Sequence, residues 1–186
     1  GEVVGKLTKG LAALAKQRKV NVVQGSAKFT GSKTLQVETA QGVKTLAFEH
    51  AIIAAGSMPA RFPNFPWDDA RLLDSTRVLA LTQIPKRMLV VGGGIIGLEM
   101  ATVFDALGTK VSVVELMDSL IPGCDPDLVR PLAKRIAKRY EKIWLKTKVS
   151  KIEPQKDGLK VHFEGDGAGE PQLYDAVLVA VGRRPN

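Results

Sequence analysis

Val90-Val91-Gly92-Gly93-Gly94-Ile95-Ile96-Gly97 sets an apolar run directly before a G-x-G-x-x-G spacing, and few folds accept that combination. Alone the spacing is a weak signal. Its setting strengthens it: Met88 to Val91 predicts a strand, Ile95 to Leu107 a helix stopped by Gly108, and Lys110 to Val114 a second strand, which together make a βαβ unit. In such a unit Gly92 permits the tight turn off the strand, Gly94 removes a side chain that would block a pyrophosphate, and Gly97 lets the helix pack close to the sheet. The phosphates would lie on amides at the helix N-terminus, which carries a partial positive charge. Gly93, Ile95 and Ile96 complete the turn.

The second strand runs into Glu115, at about the 20-residue distance where an acidic residue meets the adenosine ribose of a bound dinucleotide. A carboxylate there accepts hydrogen bonds from both ribose hydroxyls, while a 2′-phosphate would meet like charge and find no arginine in Leu116-Met117-Asp118-Ser119. The expected ligand is therefore NAD rather than NADP. The bland alternative is a glycine-rich turn with no ligand and an ordinary surface Glu. The fingerprint names no reaction, since this fold hosts many chemistries.

Elsewhere, apolar residues at Val3, Leu7, Leu11, Leu14 and Ala15 predict a helix over Val3 to Arg18. Short runs at Asn21 to Gln24, Ala27 to Thr30, Leu35 to Thr39 and Val43 to Phe48, separated by Gly25, Gly31-Ser32 and Gln41-Gly42, predict an antiparallel meander. Ala51 to Ala55 is a continuous apolar run that suits a strand buried on both faces. Pro59, Pro63 and Pro66 then mark a linker, with a boundary over residues 61–85. Asp125-Pro126 opens a further helix to about Tyr140, and strands are expected near 143–145, 149–153, 160–163 and 176–180.

One internal repeat stands out. Ala54-Ala55-Gly56-Ser57-Met58-Pro59 and Ala180-Val181-Gly182-Arg183-Arg184-Pro185 share A-x-G-x-x-P, each after an apolar run and each with an acidic residue, Glu49 or Asp175, at the same distance before its glycine. Two Gly/Pro turns can coincide by chance. Beside the βαβ unit, the repeat suggests two related nucleotide-binding domains in tandem.

The net charge of +8 admits an anionic partner. The excess at Lys16 to Lys19 and Lys134 to Lys151 falls on helix faces and strand edges without aromatic interleaving, which argues against nucleic acid and for solvated surface or an acidic protein partner. No apolar stretch approaches the roughly 18 residues needed to span a bilayer, and Gly1-Glu2-Val3 does not open like a secretory signal, so a soluble chain is expected. Cys124 is the single cysteine, so these residues hold neither a redox dithiol nor a CxxC metal pair, and no metal site is expected. With no second thiol or activating His nearby, Cys124 reads as incidental, and His50 and His162 read as structural or surface residues.

At Gly92-Gly93-Gly94-Ile95-Ile96-Gly97-Leu98-Glu99-Met100 the chain resembles the bacterial lipoamide dehydrogenases, flavoprotein disulfide reductases that reoxidise dihydrolipoyl groups on 2-oxoacid dehydrogenase complexes. The likeness extends to Gly31, Ala51 to Ser57, Asp74-Ser75-Thr76, Ile121-Pro122 and Val179 to Asn186. It implies an α/β chain: residues 1–60 as the C-terminal part of a FAD-binding domain, 61–85 as linker, and 86–186 as a Rossmann-like NAD-binding domain with a parallel sheet and a β-meander. It also implies that Gly92 to Ile96 hold the NAD pyrophosphate, Glu115 the ribose and Val149 the adenine border, while Ala180, Val181, Gly182 and Arg183 line the nicotinamide approach. Glu99 resembles the family's carboxylate beside flavin and nicotinamide; an exposed helical Glu is the plain alternative. Ala27, Ala55, Gly56 and Ser57 resemble backbone contacts to FAD. The family's redox cysteine pair, first FAD fingerprint and catalytic His lie outside these residues, so the fragment alone is expected to be inactive. The resemblance further implies a homodimeric parent in a bacterial cytoplasm, with dihydrolipoamide on a lipoyl domain as substrate. A sister transhydrogenase, a glutathione- or mercuric-reductase-like enzyme, or a non-catalytic nucleotide-binding module remain open.

Overall fold

Apolar side chains at three- to four-residue spacing wind Glu2–Gln17 into helix α1, with Glu2 in the first turn and Lys16 in the last, signs that complement the helix dipole. Glu2 also pairs with Lys6 at 2.7 Å, one turn on. The computed structural model describes residues 1–186 and divides between Ala54 and Ala55 into two units. Beyond α1, the first unit holds β1 (Ser26–Gly31), β2 (Thr34–Thr39) and β3 (Gly42–Ala47), the antiparallel meander expected from the turn residues. Its β2–β3 turn is tight because Gly42 takes φ +114° and Thr39 Oγ1 accepts from the Gln41 amide at 3.2 Å. Val37 is its only buried side chain, and the apolar stripe of α1 is exposed.

Two expected strands of this unit are absent. Residues 21–24 and Ala51 to Ala55 are irregular, and Ile52 and Ile53 are exposed at 94% and 76%. A strand buried on both faces takes its hydrogen bonds from neighbouring strands and its burial from covering layers. No strand pairs with Ala51 to Ala55.

The second unit carries β4 (Ser57–Pro59), β5 (Leu72–Leu73), β6 (Arg87–Val91), α2 (Ile95–Ala106), β7 (Lys110–Val114), α3 (Pro126–Ile136), β8 (Lys142–Trp144), β9 (Thr147–Gln155), β10 (Gly158–Gly165), β11 (Gln172–Tyr174), β12 (Ala176–Val179) and β13 (Arg183–Pro185). Five strands form an all-parallel sheet in the order β5-β12-β6-β7-β8. Strand alternation splits its side chains between two cores. Met88, Val90, Ala176 and Leu178 join Leu98, Ala101 and Phe104 of α2 and Val129 and Ile136 of α3. Leu89, Val91, Val177 and Val179 join Ile152, Leu159, Val161 and Tyr174 of the antiparallel meander β9-β10-β11. The sheet is thus covered by helices on one face and by the meander on the other, the arrangement that buries a parallel sheet.

Residues 61–85, expected as a linker, are built into this unit. Leu72 and Leu73 pair with Val177 and Leu178 of β12, and Phe65, Leu72, Leu73 and Val78 are buried. The prolines do suppress regular structure over 60–66, but side chains replace it: Trp67 Nε1 donates to the Phe62 carbonyl at 2.7 Å and Arg77 to the Trp67 carbonyl at 2.9 Å. Helix α3 ends at Ile136, short of Tyr140; residues 137–140 tighten into turns, and Arg139 there reaches Asp105 at 2.6 Å. No helix is long and apolar enough to cross a membrane.

Candidate nucleotide-binding cleft

The glycines after β6 differ in what the polypeptide itself demands of them. Gly92 has φ +107°, and a Cβ there would stand 2.4 Å from the Ala180 carbonyl oxygen. At Gly97 a Cβ would meet the Gly92 carbonyl oxygen at 2.1 Å, so α2 could not approach the turn. A Cβ on Gly93 would strike the Leu120 side chain at 2.6 Å. Gly94 has an ordinary φ of −77° and nothing within 4 Å of its missing Cβ. Neither packing nor backbone conformation requires glycine at that position; the space beside it is open.

That space is a cleft of about 690 Å³. Of the residues expected to hold NAD, Gly92, Gly94, Ile95, Ile96, Glu115, Val149, Ala180, Val181, Gly182 and Arg183 line it. Gly93 and Gly97 do not, being packed against Glu115 and the turn respectively. No side chain caps α2, and the first amide of the helix to bond back into it is that of Leu98, to the Gly94 carbonyl. The amides of the first turn therefore remain available to an anion.

Glu115 is 8% exposed at the end of β7, and its carboxylate is already engaged. Oε2 accepts from the Gly93 amide at 2.6 Å and Oε1 from the Met117 amide at 2.8 Å. Sequence spacing anticipates a ribose acceptor but not this brace, which joins the carboxylate to the glycine turn 22 residues earlier. Each oxygen has a second lone pair, so the two duties are compatible.

The repeated turns meet. β4 and β13 pair antiparallel, Arg183 opposite Pro59 and Pro185 opposite Ser57. The exchange is reciprocal: the Ala60 amide donates to the Gly182 carbonyl at 3.0 Å, and the Asn186 amide to the Gly56 carbonyl at 3.3 Å. Gly56 and Gly182 both take positive φ, 76° and 122°. Arg183 locks the pair, donating to Ser57 Oγ at 2.7 Å, the Ser57 carbonyl at 2.5 Å and Ser75 Oγ at 2.9 Å. Ser75 is set by the turn at Asp74, a buried carboxylate that accepts from the amides of Thr76 and Arg77 and from Arg61 at 2.6 Å. Burial pushes the Asp74 carboxyl up, but these donors outweigh it and hold the group below its ordinary value.

The cleft also includes residues that sequence reasoning did not assign to it, among them Pro59, Phe62, Ser75, Thr147 and Lys148. For Pro59 and Ser75 the signal was present in the repeat and in Asp74-Ser75-Thr76; Phe62 carried none. Thr147 and Lys148 come from β9, whose start runs beside Glu115: the Thr147 amide donates to the Glu115 carbonyl at 3.0 Å, and the Lys146 amide to that of Met117 at 2.9 Å. Lys148 pairs with Glu164 across the hairpin at 2.9 Å, and its hydrogen bond, with its charge, holds the Glu164 carboxyl below its ordinary value.

Glu99 lies on α2, exposed and outside the cleft lining. Ala55, Gly56 and Ser57 form the first repeated turn in the second unit, while Ala27 is exposed on β1 of the first. Cys124 is exposed, and so is His50; His162 faces Glu153 with Nε2 and Oε2 3.0 Å apart.

A parallel sheet with a glycine turn, a bound-back carboxylate and a meander cover is the architecture of a Rossmann-like α/β domain. The chain belongs to the pyridine nucleotide-disulphide oxidoreductase family, whose family model matches residues 2–186. It is 49% identical to the dihydrolipoyl dehydrogenase of Vibrio cholerae over 100% of its own length and 39% of the relative's. It is 50% identical to that of Haemophilus influenzae, over 99% of this chain and 38% of that one. The chain thus spans about two fifths of the curated relatives it matches. Among solved structures it resembles the Cu(II) complex of the HOCl-induced flavoprotein disulfide reductase RclA of Escherichia coli, with TM-score 0.80 and 29% identity, over 99% of this chain and 41% of that one. LpdA of Mycobacterium tuberculosis shares the fold, with TM-score 0.84 at 22% identity over 100% of this chain and 41% of that one.

Proposed function

We propose that the cleft binds NAD and that the chain is the NAD-binding portion of a dihydrolipoyl dehydrogenase. Gly94 carries the reading. Gly92 and Gly97 need to be glycine because a Cβ would strike backbone, whereas Gly94 is needed only if something else occupies the space beside it. A pyrophosphate on the first-turn amides of α2 is such an occupant, and Gly92 to Gly97 fit it. Glu115 then accepts the adenosine ribose hydroxyls while keeping the Gly93 amide in place. Val149 borders the adenine, and Ala180 to Arg183 line the nicotinamide half.

NAD supplies a nicotinamide ring that takes up hydride. This chain's residues bind and orient that acceptor; Glu99 would stand near the flavin side, and Ala27 with Ala55 to Ser57 would contribute backbone contacts to FAD. The electrons would come from dihydrolipoamide on a lipoyl domain through a redox disulfide that these 186 residues, with their single Cys124, do not contain. The names and bacterial sources of the two curated relatives support the dihydrolipoyl dehydrogenase reading, and a homodimeric parent enzyme in a bacterial cytoplasm completes the proposal. The likeness to an HOCl-induced flavoprotein disulfide reductase supports a second reading, in which the same NAD cleft serves a sister reductase.

Titrating wild type and Gly94→Ala with NADH, with nicotinamide fluorescence as the signal, tests the cleft. The variant should keep its thermal stability, because its Cβ meets nothing, and lose at least about ten-fold in affinity, or about 1.4 kcal/mol. Equal affinity would remove the basis of the proposal. Assaying the full-length enzyme for NAD reduction by dihydrolipoamide separates the two substrate classes.

A further inference from the structure

The cations around the adenosine end of the cleft are present but spoken for. β9 carries Lys148 and Lys151, and Lys146 precedes it; each meets a carboxylate in or beside the β9–β10 hairpin: Lys146 with Asp166 at 3.9 Å, Lys148 with Glu164 at 2.9 Å, and Lys151 with Glu153. The register sets Lys148 directly opposite Glu164. Two cations line the cleft, Lys148 and Arg183. Arg183 is occupied by Ser57 and Ser75. Lys148 follows Thr147, whose amide bonds Glu115, so it is the one cleft cation on the Glu115 side.

An NADP site needs a cation free to meet the 2′-phosphate, and a carboxylate alone does not explain its rejection when a lysine shares the wall. We propose that Glu164 is a second specificity-determining residue, which favours NAD by holding Lys148 in an ion pair and so withholding it from a 2′-phosphate. The proposal rests on the reading of the cleft as an NAD site. Glu115 repels the phosphate from the ribose side, and Glu164 acts one strand further away by neutralising the cleft cation on that side. Both members of the pair are more than half exposed, so the effect is modest and sensitive to salt.

The test is titration of wild type, Glu164→Gln, and the double variant Lys148→Met with Glu164→Gln, against NADH and NADPH. Freeing one lysine at a solvent-exposed site should lower the ratio of the NADPH to the NADH Kd about five-fold in Glu164→Gln. Raising the salt should shrink that change, and the double variant should restore the wild-type ratio. An unchanged ratio in Glu164→Gln, or a gain that persists without Lys148, overturns the role of Glu164 while leaving the NAD site standing. A wild-type protein that binds NADPH as tightly as NADH, or binds neither, overturns the reading of the cleft and this proposal with it. Both substituted side chains are exposed, and a melting curve for each variant checks that the fold is retained.

Discussion

The runs Ala51-Ile52-Ile53-Ala54-Ala55 and Ala176-Val177-Leu178-Val179-Ala180 both lead into an A-x-G-x-x-P turn, and their fates differ. Ala176–Val179 is β12, hydrogen-bonded to β5 and β6 and buried on both faces. Ala51 to Ala55 is likewise wholly apolar but has no strand partner, and Ile52 and Ile53 face solvent. The two turns that follow are nevertheless alike and pair with each other. A turn depends on a positive-φ glycine and a proline within six residues, and both strings form one whether or not a strand precedes it. A doubly buried strand depends on flanking strands and on layers above and below it.

The difference between the runs can be measured. Leu178→Ala removes a fully buried side chain between two strands and should cost about 2–5 kcal/mol in denaturant unfolding. Ile53→Ala, at an exposed site, should stay within about 0.5 kcal/mol. Comparable losses would mean that Ile53 is buried in solution and would break the contrast. The likeness of the turns has a smaller signature. Gly56→Ala should cost about 1–2 kcal/mol for a side chain at left-handed φ, and Gly182→Ala more, because its φ of 122° lies beyond the left-handed helical well. If either substitution proved neutral, the reciprocal turn pair would not be held by its glycines. Smaller than the glycine effects is Arg183→Ala, which removes the three hydrogen bonds of an exposed guanidinium and should lower stability by about 1 kcal/mol. Protection of the Ala60 and Asn186 amides from hydrogen exchange should fall with it, and unchanged protection would show that the backbone pairing stands without the lock.

The region from Met88 to Glu115 was legible because each of its signals is short-range: four apolar residues for β6, helical spacing for α2, glycine at turn positions and a carboxylate at a fixed distance. The antiparallel meander of the first unit was legible for the same reason. Less could be read where a residue's partner is remote. Glu115 as a brace depends on the Gly93 amide, and β4 with β13 joins residues more than a hundred positions apart. Residues 61–85 look like a linker because prolines forbid ladder hydrogen bonds, yet Leu72 and Leu73 still find β12 at the edge of the sheet. Lys148 reads as part of a solvated charge run. Only the hairpin register shows that it shares a wall with Glu115 and that Glu164 faces it.

By itself the sequence determined the βαβ unit, the glycines that its turn demands, the carboxylate that closes it and the two repeated turns. These follow from dihedral limits and periodicities that a handful of adjacent residues impose on themselves. Tertiary structure alone decided which apolar run became a strand, that the proline-rich stretch joins the second unit, that Gly94 is open where Gly92 and Gly97 are crowded, and that the cleft's cations are already paired. Hydrogen bonding, burial and charge neutralisation each require a partner, and these partners are brought from distant parts of the chain only when it folds.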